Sequence, residues 1–523
     1  MFHTKAFSEI WKKRFAFIAI TFLFCANHFL LLFNRHVYWD GILWNHLITA
    51  NDFETLTWVF KQTGQGIIYW IFRFLELFPK PLIASKFVSF FSLLGATLFF
   101  TKFLTRLRLV DLNAAFVAGL VASSLATYGL STELCLIHYH VCLLLFFAGN
   151  DLIMKYFNDA QPVGLFFCGL ILATLSYNMG SLLFLQIALL PLYVLNAGDI
   201  KSKISKLILL TVSPLVFYIF STKPSGLYVD YNGLRSDLQS VLRTSLTIGF
   251  SFIKSSLIFR LAELRANGFS VPVFFGITFA VGLTFFIINS QATRKTKFGP
   301  VWMMAAFVPA CFAAVFPYIM VNKYPDLGDW GQRHGIVLSF TFPIAIASIH
   351  GLARRSKVGH AISATVISAF LALAAAWNNL NYEKWNSDGV KYDQMGLAAQ
   401  ANQSALAECT DIFGIDETGV GNRFGRSYRD YEWAGILIKA NPLKEDKLFA
   451  MNKKELDGIV SRMVQFEKSD HKDFRLYKRF SMARDYDGTQ SQRKICAARF
   501  TATATGLSEK FKMVVEPLKR EPG

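Results

Sequence analysis

The residues that could do chemistry in this chain stand where its long apolar runs end. Asp40 lies in "VYWDGILW", a few residues past the first such run and so within roughly one or two helical turns of a membrane interface. A carboxylate among those aromatic and aliphatic neighbours is partly desolvated, which raises its basicity and suits it to take a proton from an acceptor hydroxyl. The same position would let it cap the helix that "GILWNHL" begins. Asp52 and Glu54 follow in the same loop. Glu133 opens "ELCLIHYH", where it either favours the positive end of a helix or supplies a second acid. His138 falls one turn inside an apolar run, a depth at which an ionisable group marks a site. His140 points to a different face of the same helix, so the pair is poorly spaced for a shared metal. In "GDWGQRHGIVLSFTFP", Arg333 and His334 enter another apolar run after a glycine-flanked turn. A guanidinium there can grip a phosphate at two points, or simply reach lipid headgroups. Lys323, Asp326 and Asp329 precede it, and Tyr228, Asp230 and Arg235 form a comparable group.

The elements that must position these residues are set by composition. The 523-residue chain is 53% hydrophobic and only 17% charged, with a mean hydropathy of +0.35. Those values point to many membrane spans. The net charge of +18 would suit nucleic acid if it were spread over a soluble surface. From Asn378 onward, however, 24 Lys and Arg meet 21 Asp and Glu, so the excess belongs to the apolar part. It sits there mostly in short loops such as "KFLTRLR", "QATRKTK" and "LARRSK", the mark of cytoplasmic connections, and nucleic-acid binding is excluded.

Followed along the chain, these loops give eleven spans. "WKKRFAFIAITFLFCANHFLLLF" is an uncleaved signal anchor with a cytoplasmic N-terminus. The spans are 15–33, 82–104, 114–130, the run from "STELCLIHYH" to "IMKYF", two halves of 162–196 divided at "YNMGS", 207–220, 271–289, 301–320, 336–350 and 361–377. "ETLTWVFKQTGQGIIYWIFRFLELF" and "VLRTSLTIGFSFIKSSLIFRLAELR" carry charges too often to cross and read as helices lying along the interface. The fold class expected is therefore a mainly α polytopic membrane domain over 1–377, followed by a polar α/β domain over 378–523 outside the cytoplasm. Five cysteines lie in apolar segments and read as packing residues, whereas Cys409 and Cys496 lie in the tail and would pair in an oxidising compartment. No cysteine or histidine motif has the spacing of a metal site, which leaves dependence on a divalent metal open.

On this layout Asp40, Asp52, Glu54, Glu133, Arg235, Lys323, Arg333 and His334 all face outward. An acid to activate a hydroxyl, cations to hold a phosphate and interfacial helices to seat a lipid are the parts needed to move a group from a lipid phosphate to an acceptor. The arrangement resembles the GT-C membrane glycosyltransferases, which share the inside N-terminus, the long first outer loop with an acid just after the first span, and often a soluble C-terminal domain. The family's first-loop acid matches Asp40 in "YWDG", its second acidic position matches Glu133, and its late Arg/His-then-Pro pattern matches "RHGIVLSFTFP" with Arg333, His334 and Pro343. The resemblance implies a polyprenyl-phosphate sugar donor, transfer with inversion, Asp40 as base, and Arg333 with His334 or Lys323 against the departing phosphate. His138, Asp52, Glu54 and Arg235 would line the substrate site, and the acceptor would be a glycan, a lipid or a protein. It also implies an inner-membrane enzyme of the cell envelope, in polysaccharide biosynthesis or a related modification. The chain departs from the family where Asp40 is followed by Gly41 instead of a second acid. Two other classes compete: a polysaccharide polymerase or ligase of another fold, whose large outer loop usually lies between late spans, and a transporter or flippase, which would show repeated halves and mid-span charge.

Overall fold

A computed structural model of the chain describes residues 2–49, 56–57, 60, 66–107, 111–124, 133–159, 162–195, 200–220, 237–267, 299–325, 330–409, 411–418, 428, 432–433, 435–437, 448–450, 495–503 and 510–517. The protein is mainly helical and divides into two compact units. The first comprises Met1–Asn34, Phe60–Ser131 and Leu136–Glu383; the second comprises Arg35–Val59, Thr132–Cys135 and Lys384–Gly523.

In the first unit the helices are α1 (Phe2–His28), then, with α2 (Asp40–Thr49) assigned to the second unit, α3 (Gly66–Glu76), α4 (Pro81–Arg106), α5 (Leu112–Ser124), α6 (Ile137–Asp159), α7 (Val163–Ser176), α8 (Gly180–Leu195), α9 (Ile200–Phe220), α10 (Leu238–Asn267), α11 (Gly299–Met320), α12 (Leu338–Ala353) and the start of α13 (Lys357–Ala401). Among the described residues five segments are long and apolar enough to cross a membrane: Arg14–Phe33, Pro81–Arg106, Leu134–Asn158, Pro300–Met320 and Lys357–Ala401. Shorter apolar helices stand at 112–124, 163–176, 180–193, 210–219 and 338–353. The break expected at "YNMGS" falls between α7 and α8, where Tyr177–Met179 turn the chain. The span expected at 271–289 lies outside the described residues.

Packing follows side-chain size. Phe100 on α4, Phe147 on α6 and Phe340 on α12 meet with ring centroids 4.8–5.5 Å apart, fixing three helices at one point. α5 is built from small residues and is buried all round from Asn113 to Ser124, as a helix without a polar face must be. Gly149 on α6 faces Gly169 on α7 so closely that a Cβ on Gly149 would stand 2.7 Å from the Gly169 carbonyl oxygen. Small residues are what let helix backbones approach in lipid. Two arginine pairs tie helix ends together: Arg106 with Asp151 at 2.5 Å, and Arg354 with both oxygens of Asp111 at 2.9 and 3.1 Å.

α10 differs from expectation in one respect. Its Leu238, Leu242, Leu246, Ile258 and Leu261 are exposed, while Arg260 is buried beneath the rings of Phe370 and Trp377, 5.9 and 5.3 Å away. The charges of this segment made it read as interfacial, yet two aromatic π-systems on α13 offer the Arg260 guanidinium a matched surface.

The second unit takes in more than the polar tail. It holds α2, the segment around Glu133, the C-terminal part of α13, α14 (Gln403–Ala407) and a sheet of β1 (Asp411–Glu417), β2 (Leu448–Ala450), β3 (Ile495–Thr503) and β4 (Lys510–Pro517) in the order β2-β1-β3-β4. β1 runs parallel to β2 and β3, and β3 pairs antiparallel with β4. The boundary expected at Asn378 falls inside α13, because Tyr382, Trp385, Tyr392, Met395 and Ala399 continue a buried stripe at helical spacing through a polar stretch. Trp433 lies against Gly414 on β1 and stacks on Phe500 of β3 at 5.6 Å. Cys409 and Cys496 form a disulfide across 87 residues of chain, linking the end of the helical part to β3.

Candidate functional site

Within the second unit, the segment after the first apolar helix is held against the C-terminal part of α13. His36 pairs with Asp393 at 2.9 Å, Tyr38 donates its hydroxyl to the Trp385 carbonyl at 2.5 Å, and Trp39 packs edge-on to the Trp385 ring at 5.2 Å. Trp39 adopts φ 45°, a left-handed conformation that is an outlier for so bulky a residue. This bend turns the extended chain into α2, whose first residue is Asp40. The amides of Gly41 and Ile42 close the turn on the carbonyls of Tyr38 and Trp39. Strain of this kind persists only where the surroundings over-determine it, and such positions concentrate at functional sites. The side chain of Asp40 itself lies outside what the structure describes, so its placement rests on the backbone.

Glu133 reaches the same turn from a distant part of the chain. Its carboxylate is buried, accepts from the Cys135 amide at 3.5 Å, and lies directly against Gly41. A Cβ on Gly41 would overlap Glu133 Oε1 and stand 3.0 Å from its carboxyl carbon. Gly41 is therefore the residue whose missing side chain makes room for the Glu133 carboxylate at the start of α2. Asp52 and Glu54 lie outside the described residues.

Within the first unit, a second group gathers at the end of α11. The helix stops in a glycine-like cap made by Asn322, at φ 56°. The Asn322 amide bonds the Ile319 carbonyl and the Lys323 amide bonds the Tyr318 carbonyl, the paired bonds of a Schellman motif. Lys323 is thus set by the cap. Arg333 and His334 sit on a 3-10 turn, Trp330–Gly335, which packs on the end of α11 and leads into α12. The His334 ring lies 4.5 Å from that of Tyr318. Burial, then the charges of Arg333 and Lys323, lower His334 to a pKa of about 2 and leave it a neutral hydrogen-bonding group. Burial and the Arg333 charge lower Lys323 to about 8. Arg333, Lys323 and His334 thus stand within electrostatic reach of one another.

The remaining residues divide as follows. His138 and His140 are both buried in the first turn of α6, with His140 within electrostatic reach of His138 and His28. His28 Nε2 meets the Ser123 carbonyl at 2.9 Å and must donate there, so in the neutral ring Nδ1 accepts from the Tyr382 hydroxyl, also at 2.9 Å. Nothing in the sequence marked His28, Ser123 and Tyr382 as a group, since they come from three separate helices. Arg235, Tyr228, Asp230, Asp326 and Asp329 lie outside the described residues. Among the described residues no group of three or more His, Cys, Asp or Glu is placed to hold a metal ion. No protein-family model, curated protein or solved structure matches the chain.

Proposed function

We propose that the chain is a membrane glycosyltransferase that moves a sugar from a polyprenyl-phosphate donor to an acceptor hydroxyl on a glycan, lipid or protein, outside the cytoplasm and with inversion. The observation that carries the proposal is the folding of Glu133, from a distant chain segment, against Gly41, the residue after Asp40, at a strained turn. In this reading Asp40 accepts the acceptor proton as the acceptor oxygen bonds to the anomeric carbon. The bond from that carbon to the phosphate oxygen breaks, and its electrons leave with the phosphate. Glu133 orients Asp40 or the acceptor. Arg333 and Lys323 offset the charge growing on the phosphate, and neutral His334 donates or accepts a hydrogen bond with the headgroup.

The same proposal places eleven spans in an inner membrane, with the N-terminus cytoplasmic and the sheet-bearing unit periplasmic. The Cys409–Cys496 disulfide supports that side, since such bonds persist in oxidising compartments. The test is transfer from a radiolabelled polyprenyl-phosphate sugar in proteoliposomes. Asp40→Asn is expected to lower kcat by about 10²–10⁴ with insertion intact. Arg333→Ala is expected to cost about 10²–10³. Normal transfer by Asp40→Asn would remove it as the base, and unchanged donor use by Arg333→Ala would reduce it to an anchor.

A further inference from the structure

An apolar groove of about 590 Å³ lies along α4 in the first unit, apart from the residues assigned above. That size is within the usual range of small-molecule sites, about 300–1,000 Å³. Phe74, Phe78, Phe87 and Phe91 line it, together with Leu144 of α6. Lys80, the residue immediately before α4, is the one charged side chain in the lining, and it stands where the helix enters its apolar run. Phe87 and Phe91 are 43% and 57% exposed, so the groove opens sideways off the helix and is not sealed inside the bundle.

The dimensions say what fits. From Ile83, the first lining residue on α4, to Ser92, the last, the helix rises roughly 14 Å. One leaflet of a bilayer is half of a hydrocarbon core about 30 Å thick. The groove is therefore about as long as one leaflet is deep, apolar but for Ser92 and for the Lys80 cation at the start of the helix. A long isoprenoid would outrun it, whereas a single acyl chain ends with it.

We infer that this groove binds one acyl chain of an anionic diacyl phospholipid, with the lipid phosphate over Lys80 and the second chain lying along the exposed faces of Phe87 and Phe91. The site is independent of the sugar-transfer reading. Lys80 supplies the charge preference and the four phenylalanines supply the apolar contact.

Native mass spectrometry of the detergent-solubilised full chain tests this, with titration by phosphatidylglycerol, phosphatidylcholine or undecaprenyl phosphate. A one-to-one phosphatidylglycerol adduct is expected, outlasting the phosphatidylcholine adduct as collision energy rises. Lys80→Gln changes an exposed side chain and leaves the groove intact. It is expected to weaken the phosphatidylglycerol adduct about fivefold, the worth of one lysine at an anionic lipid surface, and to leave phosphatidylcholine unchanged. Ala84→Phe and Val88→Trp fill the groove from two positions, and each is expected to abolish the adduct at unchanged helicity. Equal retention of the two phospholipids, indifference to Lys80→Gln, preference for undecaprenyl phosphate, or an adduct surviving in either folded filled variant would overturn the inference.

Discussion

Gly41→Ala tests the pairing of the two acids through sterics alone. The added methyl would overlap Glu133 Oε1 and approach Leu134 Cβ to 3.1 Å. Glu133 is only 1% exposed, so its carboxylate has no free solvent to swing into. Overpacking of this kind costs about 1–3 kcal/mol. Either Glu133 changes rotamer or the first turn of α2 shifts, and in both cases the acid moves relative to Asp40. We expect guanidinium unfolding followed by tryptophan fluorescence to show a loss in that range, together with at least a tenfold fall in transfer. Glu133→Ala removes the obstructing carboxylate. If the overlap is the cause, the double variant Gly41→Ala/Glu133→Ala loses less stability than the sum of the singles, by about 1–2 kcal/mol, while transfer stays low. A Gly41→Ala protein within about 0.5 kcal/mol of the parent, or strict additivity in the cycle, would refute the reasoning.

Other perturbations read out separate parts of the molecule. Lys323 keeps its proton below a pKa of about 8, so the affinity for an anionic donor should fall as pH rises through that value, and Lys323→Arg should carry the fall out of range; donor KM measured from pH 6 to 10 decides it. His334, at about 2, should contribute no inflection above pH 4. Cys409→Ser opens a disulfide that closes 87 residues of chain, and by loop-closure entropy it should cost roughly 4–5 kcal/mol in unfolding of the sheet-bearing unit, a loss that dithiothreitol reproduces in the parent. Phe340→Ala removes one of three mutually touching rings and should cost about 3–5 kcal/mol, measured as a lower denaturation midpoint with the transfer rate per folded molecule unchanged.

How much of this was legible in the sequence follows the range of the interactions involved. The five long apolar segments and the turn at Tyr177–Met179 are local, set by hydropathy and by a short polar interruption, and among the described residues they stand where the sequence put them. The continuation of α13 past Trp377 is hard to read because polarity dominates "NNLNYEKWNSDG", while the stripe from Tyr382 to Ala399 that keeps it helical is sparse. Asp40 and Glu133 were each singled out as parts of one outward-facing site, but the contact of Glu133 with the turn at Gly41 was not foreseen. Gly41 looked like a missing acid, and only the fold shows the glycine as space for Glu133. The left-handed Trp39 and the neutral His334 are likewise consequences of neighbours distant in sequence or of burial.

The backbone apposition of Gly149 and Gly169 has a practical corollary for genetic work. Neither residue bears a functional group, yet each admits no larger replacement without prising two helices apart. In a loss-of-function screen they would therefore score beside the acids, with the defect lying in how much protein reaches the membrane. Measuring abundance for every null allele is what would separate the two kinds of essential position.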